Sequence, residues 1–208
     1  MVGMGTARRI AAALVFAAST GTPAYAETIR NWPCEQPLAE HFVAEEVWGG
    51  ALPAPLPQDW RADPAAGEVV AVAANPENPP AQGEDAIAAL AGRLQADRQE
   101  TLLAVYAGLL EQFDRLRGFV IEGVRDFIVR AKIIAEAVER SEGALAALPA
   151  DGGAAVDEQR QGYLAALWSD ERNLDDALEE AEFLCRRYGY LERKLRRLTG
   201  AIRDALSI

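Results

Sequence analysis

Histidine is the side chain that most often performs acid–base catalysis or binds a metal near neutral pH, and this chain contains one, His41. A catalytic triad or an imidazole-ligated metal site would have to use it, yet its neighbours Glu40 and Glu45 fit the solvent face of a short helix. The sequence has no phosphate-binding glycine motif and no Gly-x-Ser-x-Gly elbow. We therefore predict that the protein is not an enzyme and that it has no catalytic residue, metal site or cofactor.

Four carboxylates in the C-terminal part of the chain have the i, i+4 spacing that places them on neighbouring turns of one helix. They are Asp175, Asp176, Glu179 and Glu180. Such an acidic stripe binds Ca²⁺ or other hard cations weakly, but this segment lacks a glycine-containing calcium loop. We expect a solvated helix face here, with weak cation binding as the alternative.

Charge is polarised along the same segment. Nine acidic and two basic residues lie between Asp157 and Glu182, whereas seven basic residues and one acidic residue lie between Arg186 and Arg203. Acid near the start of a helix and base near its end both suit the helix dipole. The sharper hypothesis is a docking surface for an acidic partner or for anionic lipid headgroups. Its members would be Arg186, Arg187, Arg193, Lys194, Arg196 and Arg197.

Neutralisation within the chain is the main competitor of that docking hypothesis. Residues 27–100 contain thirteen acidic and four basic residues, a net charge of −9. If this N-terminal part packs against the basic segment, its carboxylates would occupy the same arginines. The sequence leaves both possibilities open.

The first 26 residues have the three parts of a secretory signal. Arg8 and Arg9 precede an apolar stretch from Ile10 to Ala18, and Ala24-Tyr25-Ala26 forms a small-x-small cleavage site. We predict cleavage after Ala26, with an uncleaved signal anchor as the alternative, although the stretch is short for a hydrocarbon core of about 30 Å.

Arg-rich and Ala-rich usage favours a bacterial periplasmic or secreted location. The acidic net charge of −11 argues against nucleic-acid binding, and no later segment is apolar enough to span a membrane.

Cys34 and Cys185 are the two cysteines of the chain. In an exported protein they most simply form one intramolecular disulfide, and the alternatives are free thiols or intermolecular pairs. Their spacing excludes a Cys-x-x-Cys redox pair and a haem-attachment motif. The predicted disulfide would staple the N-terminal part to the last helix.

Prolines dominate residues 27–82, which contain nine of the eleven in the chain. They cut this segment into pieces too short for long helices, so we predict an extended arm with one short helix from Pro37 to Val47, ended by Gly49-Gly50. Val69 to Val72 has strand character but no partner strand, and we expect it to lie extended on the helices. Three tryptophans are predicted to anchor the arm, in preference to forming an aromatic ligand site: Trp32, Trp48 and Trp60.

After Pro80 the chain contains one proline, Pro149, which separates two long stretches with the apolar periodicity of helices. The sequence therefore predicts an all-α fold in which residues 83–208 form a long antiparallel, coiled-coil-like helical hairpin with its turn near residues 148–153. A short third helix before the hairpin is left open, and so are breaks near Gly118–Gly123 and at Gly189. Asp97 and Glu100 have the spacing of a capping box at the start of the first long helix.

These features favour a protein that acts by binding. The first hypothesis is an exported adaptor or scaffold whose hairpin binds a partner protein or a second copy of itself. The alternatives are an ATP-independent holding chaperone and a weak metal- or ligand-binding protein that uses the acidic stripe.

Overall fold

The structure is a computed structural model of the chain, and it describes residues 32–207. Within that range the fold is all-α and contains no strand. The predicted secretory signal, residues 1–26, lies outside the described residues. The elements are α1 (Ala44–Trp48), a 3₁₀ helix (Trp60–Ala62), α2 (Pro64–Ala73), α3 (Pro80–Arg93), α4 (Arg98–Ala147) and α5 (Gly153–Leu206).

Two long helices, α4 and α5, dominate the fold. They contain 50 and 54 residues, so each is about 75–80 Å long. Residues 148–152 reverse the chain between them, and α5 begins at Gly153, whose φ of 69° lies in the left-handed region that glycine adopts without strain. Arg117 contacts Tyr188 whereas Arg130 contacts Glu180, so the two helices run antiparallel. The predicted all-α fold with two long packed helices is confirmed, and coiled-coil geometry stays a prediction.

The long helices are not broken at their glycines. α4 continues through Gly118 and Gly123, and α5 continues through Gly189. A Cβ atom at Gly189 would lie 3.2 Å from the Gln36 side chain, and one at Gly123 would lie 3.2 Å from Leu184. Both positions therefore serve close packing between elements.

The start of α1 differs from the expectation. The helix begins at Ala44, and residues 37–43 stay irregular, although it ends at Gly49 as predicted, with a φ of 82°. The backbone N–H of Ala39 donates to the Tyr188 hydroxyl, and that of Phe42 donates to Asp114. Because these side chains of the long helices bind the backbone directly, residues 37–43 do not need helical hydrogen bonds.

The expectation of an extended Val69–Val72 segment is wrong, because these residues lie in α2. The Asp63 carboxylate caps this helix by accepting from the backbone N–H groups of Ala65 and Ala66, and Pro64 occupies the first turn. Aspartate followed by proline is a strong helix-start signal, and it outweighs the preference of valine for strands. The arm thus contains two α-helices, α1 and α2, and the 3₁₀ helix, whereas one short helix was expected.

α3 is the short third helix that the sequence left open, and it directly precedes the first long helix. Asp97 occupies the N-cap position of α4, but its side chain makes no capping hydrogen bond. The start of α4 was therefore predicted at the correct place, whereas the capping box that predicted it does not form.

One hydrophobic core joins the arm to the long helices. It contains buried residues of α2 and α3 and of one end of the helix pair, from Leu102 to Ala131 in α4 and from Leu174 to Ala205 in α5. Residues 139–173, here called the tip, contribute no buried residue. The tip therefore extends beyond the core as two helical segments and a turn, and its α5 part is about 30 Å long.

Because the Trp60 ring packs closely against Gly108 of α4, two glycine substitutions in this helix should change the free energy of unfolding in opposite directions. A Cβ atom at Gly108 would lie 2.8 Å from the Trp60 ring and 2.7 Å from Val70, whereas a Cβ atom at Gly118 meets nothing within 4 Å. We expect Gly108→Ala to lower the free energy of unfolding by roughly 1–3 kcal/mol through overpacking. We expect Gly118→Ala to raise it by up to about 1 kcal/mol through helix propensity.

Urea unfolding followed by circular dichroism measures both changes. The matched pair controls for the general effect of alanine on α4. A shift of the same sign and size in the two variants would contradict the close approach of Trp60.

Candidate protein-binding surface

The predicted disulfide between Cys34 and Cys185 is present. It links two residues 151 positions apart and joins the arm to α5. Among the described residues no cysteine is free. In the simple chain-entropy model, closing so long a loop stabilises the fold by about 5 kcal/mol, and native strain reduces that figure.

Tyr188, one turn after Cys185, connects the arm to both long helices. Its hydroxyl accepts a hydrogen bond from the backbone N–H of Ala39 at 2.9 Å and another from Arg117 at 2.7 Å. The same hydroxyl lies 3.1 Å from the Ala39 carbonyl and 3.2 Å from the Pro37 carbonyl, to one of which it donates. The side chain is fully buried, so the arm residues supply partners that water would otherwise provide.

Arg117 is a buried charge at the same place, only 4% exposed. Its guanidinium lies 4.1 Å from the Phe42 ring and 4.4 Å from the Tyr188 ring, and a carboxylate oxygen of Glu192 lies 3.9 Å away. Aromatic faces and a nearby carboxylate compensate part of the cost of burying the cation. Sequence reasoning missed this residue, because an arginine beside an apolar seam carries no signal that it will be buried.

All three predicted anchor tryptophans lie against the long helices. The Trp32 ring is 5.2 Å from that of Tyr188 in an edge-on arrangement, and the Trp48 ring is 5.0 Å from that of Tyr106. Trp48 and Trp60 are buried. The three tryptophans therefore fasten the arm to the long helices at three separate places.

Trp60 also takes part in a polar contact. Its indole N–H donates to Glu111 at 2.8 Å, and Arg61 binds the same carboxylate through both of its terminal nitrogens. These hydrogen bonds from Arg61 and Trp60 lower the pKa of the Glu111 carboxyl to about 2.

Lys194 does not belong to a docking surface, which corrects the sequence prediction. It is 1% exposed, and its ammonium donates to the backbone carbonyls of Asn75 at 2.6 Å and Asn78 at 2.8 Å. Burial lowers its pKa. The residue holds the turn between α2 and α3 against α5.

Two further members of the predicted basic surface bind groups of the same chain. Arg197 forms a bidentate pair with Glu84 of α3. Arg196 donates to Glu192 at 3.1 Å and to the backbone carbonyl of Glu46 at 3.4 Å. The charges of these two arginines are therefore neutralised by carboxylates of the same chain, as the competing interpretation proposed.

The other three arginines of that surface are exposed. Arg186 pairs with Glu182 one turn earlier in α5. Arg187 and Arg193 form no ion pair with any residue between 32 and 207. The basic surface is thus reduced to Arg186, Arg187 and Arg193.

The acidic stripe is exposed as well. Glu180 pairs with Arg130 of α4 at 2.9 Å. Asp175, Asp176 and Glu179 form no ion pair in the described part of the chain. Over the same residues no group of three or more histidine, cysteine or carboxylate side chains is arranged to hold a metal ion.

Large apolar side chains are exposed on α5 beside these charges, and sequence reasoning did not single them out. Trp168 is 68% exposed and Phe183 is 53% exposed, and Leu164 lies one turn before Trp168. The Arg172 guanidinium lies 4.8 Å from the Trp168 ring. The helical seam passes through Tyr163 and Leu167, so the off-seam position of Trp168 was a usable signal.

We call this exposed side of α5 the outer face. It combines apolar side chains with an acidic group on the tip side of Phe183 and a basic group on the other side. Its members are Leu164, Trp168, Arg172, Asp175, Asp176, Glu179, Phe183, Arg186, Arg187 and Arg193. Exposed aromatic residues next to arginines are typical of protein-binding surfaces.

The burial of Lys194 leads to a direct prediction, because the chain has one other lysine, the exposed Lys132. In folded protein we expect acetic anhydride to acetylate Lys132 quickly and Lys194 very slowly, since the Lys194 amine is inaccessible and hydrogen-bonded to two carbonyls. Peptide mass spectrometry measures both rates. In urea both lysines should react alike, and equal rates in native buffer would contradict the buried position.

No helix between residues 32 and 207 has the length and apolar character needed to cross a bilayer. Comparison with protein families, with curated proteins and with solved structures found no match to this chain.

Proposed function

We propose that this protein is an exported, non-enzymatic helical scaffold that acts by protein–protein binding through the outer face of α5. A bacterial periplasmic or secreted location and coiled-coil-like packing of α4 on α5 are parts of the same proposal. The exposure of Trp168 is the observation that carries it.

An exposed tryptophan is unusual on a helix that offers a buried seam. Burying an indole ring removes a large apolar area from water, and tryptophan is enriched among the residues that dominate binding energy at interfaces. Leu164 extends the apolar patch by one turn, and Arg172 covers one side of the ring. The patch lies on the tip, where it is clear of the core.

The architecture supports a binding role in a second way. The arm and α3 bury the other end of the helix pair, while the tip extends beyond this core without buried residues of its own. A segment that adds little to the core but carries a large apolar patch is explained by a contact with another molecule.

Export is supported by two independent features. The N-terminal sequence predicts a secretory signal, and Cys34 and Cys185 form a disulfide, which persists in oxidising compartments. The stapled arm would also resist proteases there, because its described residues are fastened to the long helices.

Site-specific photo-crosslinking in the native host tests this function. A photoreactive amino acid replaces Ala165, which is exposed three residues before Trp168, and a control replaces Glu68 on α2. We expect one dominant crosslinked protein, foreign or a second copy, from position 165 and none from position 68. Trp168→Ala should abolish that product, whereas the neighbouring Ser169→Ala should leave it intact, since binding depends on the indole ring.

Two outcomes would contradict the scaffold. If the product from position 165 is no stronger than that from position 68, the outer face is not a binding surface. A ladder of many unrelated, partly unfolded proteins would favour the holding chaperone instead.

A further inference from the structure

Five charged side chains of the outer face form no ion pair with any residue between 32 and 207, and this carries an inference about the partner. Asp175, Asp176 and Glu179 form no ion pair with described residues, and neither do Arg187 and Arg193. The acidic set lies before Phe183 in α5 and the basic set after it. The outer face therefore has an acidic half and a basic half. Within one straight helix the carboxylates of the acidic set are too far from the guanidinium groups of the basic set to form ion pairs with them.

The two sets are spaced almost symmetrically about Phe183. Asp176 and Glu179 lie seven and four residues before it, and Arg187 lies four residues after it. Asp175 and Arg193 lie eight and ten residues away, on the same flank of the helix at 100° per residue. A two-fold rotation near Phe183 thus places acidic groups of one α5 opposite basic groups of another.

We propose that the partner of the outer face is a second copy of this chain, packed antiparallel with its two-fold axis near Phe183. The inference rests on the proposed function, because it uses the same face. A parallel arrangement would place like charges opposite each other, so charge alone selects the antiparallel one. Such an interface is isologous, the type found in closed dimers.

A groove on α5 gives the second copy's Trp168 a place to bind. It has a volume of about 600 Å³, lies between α3 and the end of α5, and has a floor of small residues that includes Ala88, Gly200 and Ala201. Trp168 lies about 22 Å before Phe183 along the helix, and Gly200 lies about 26 Å after it. Along the helix axis, antiparallel packing therefore aligns each Trp168 with the groove on its partner to within a few ångströms.

The contact is long enough for a stable dimer. The proposed contact runs from Trp168 to Ala201 over about 50 Å of α5, along the outer face as far as Arg193 and then along the groove beside α3. Two helices in contact over that length can bury the 1,200–2,000 Å² that is typical of specific interfaces, as an order-of-magnitude comparison. Ala201 lies five helical turns after Phe183 on the same side of α5, where it is partly buried and lines the groove beside α3.

Charge reversal with rescue tests the proposal. Purified oxidised protein is examined by sedimentation velocity from about 1 to about 100 μM, with circular dichroism as a check on folding. We expect a dimer for the unaltered chain and a monomer for two double variants, Asp175→Lys with Glu179→Lys and Arg187→Glu with Arg193→Glu. An equimolar mixture of the two variants should restore a dimer, because each reversed charge then meets its opposite.

Two further variants separate the interface from general charge effects. Glu139→Lys with Glu142→Lys makes the same change of charge on α4, away from the outer face, and should leave the dimer intact. Phe183→Ala should weaken the dimer at least tenfold, since its ring lies beside the axis.

Three results overturn the proposal: a folded monomer at about 100 μM, a dimer that survives both double variants, or a mixture that stays monomeric. A separate result is a monomeric chain in which position 165 still crosslinks to a different protein in a Trp168-dependent manner. That result supports the scaffold function and refutes only the proposal that the partner is a second copy. If neither dimer nor crosslink forms, both fall.

Discussion

The structure depends on how the arm covers Arg117 and Tyr188. Burying a guanidinium and a phenol between two helices costs free energy that hydrogen bonds and packed rings offset. Residues 37–42 supply backbone partners for the Tyr188 hydroxyl and the Phe42 ring for Arg117, whose Nε has no hydrogen-bond partner among the described residues. The disulfide ends at Cys185, one turn away from Tyr188, so the covalent link holds the arm at the place where these contacts form.

The rest of the arm extends this arrangement along the helix pair. Trp60 packs over Gly108, where the absence of a side chain lets the indole approach the backbone of α4. Lys194 reaches from α5 to the turn after α2, and Arg197 reaches to α3. The basic end of α5 is therefore largely used to fasten the arm and α3, which leaves the outer face with a smaller basic group than the sequence had indicated.

The long helices, their turn and the disulfide were predictable, because each depends on a local or covalent signal. Pro149 and the glycines after it specify the turn, and apolar periodicity specifies the helices. α2 was missed because four apolar residues from Val69 to Val72 resemble a strand, whereas the decisive signal, Asp63 with Pro64, lies at the other end of the element. The burial of Lys194 and Arg117 was unpredictable, since it depends on tertiary partners far away in the sequence.

The helix pair consists of a part that shares one core with the arm and a tip that does not. Native-state hydrogen exchange tests this division most directly, because it measures the opening free energy of each amide. We predict that α2, α3 and the buried parts of α4 and α5 lose protection together at the highest free energy, and that amides of residues 139–173 open at a clearly lower one. Equal protection of the tip and the core, or separate opening of α2 and α3, would contradict it.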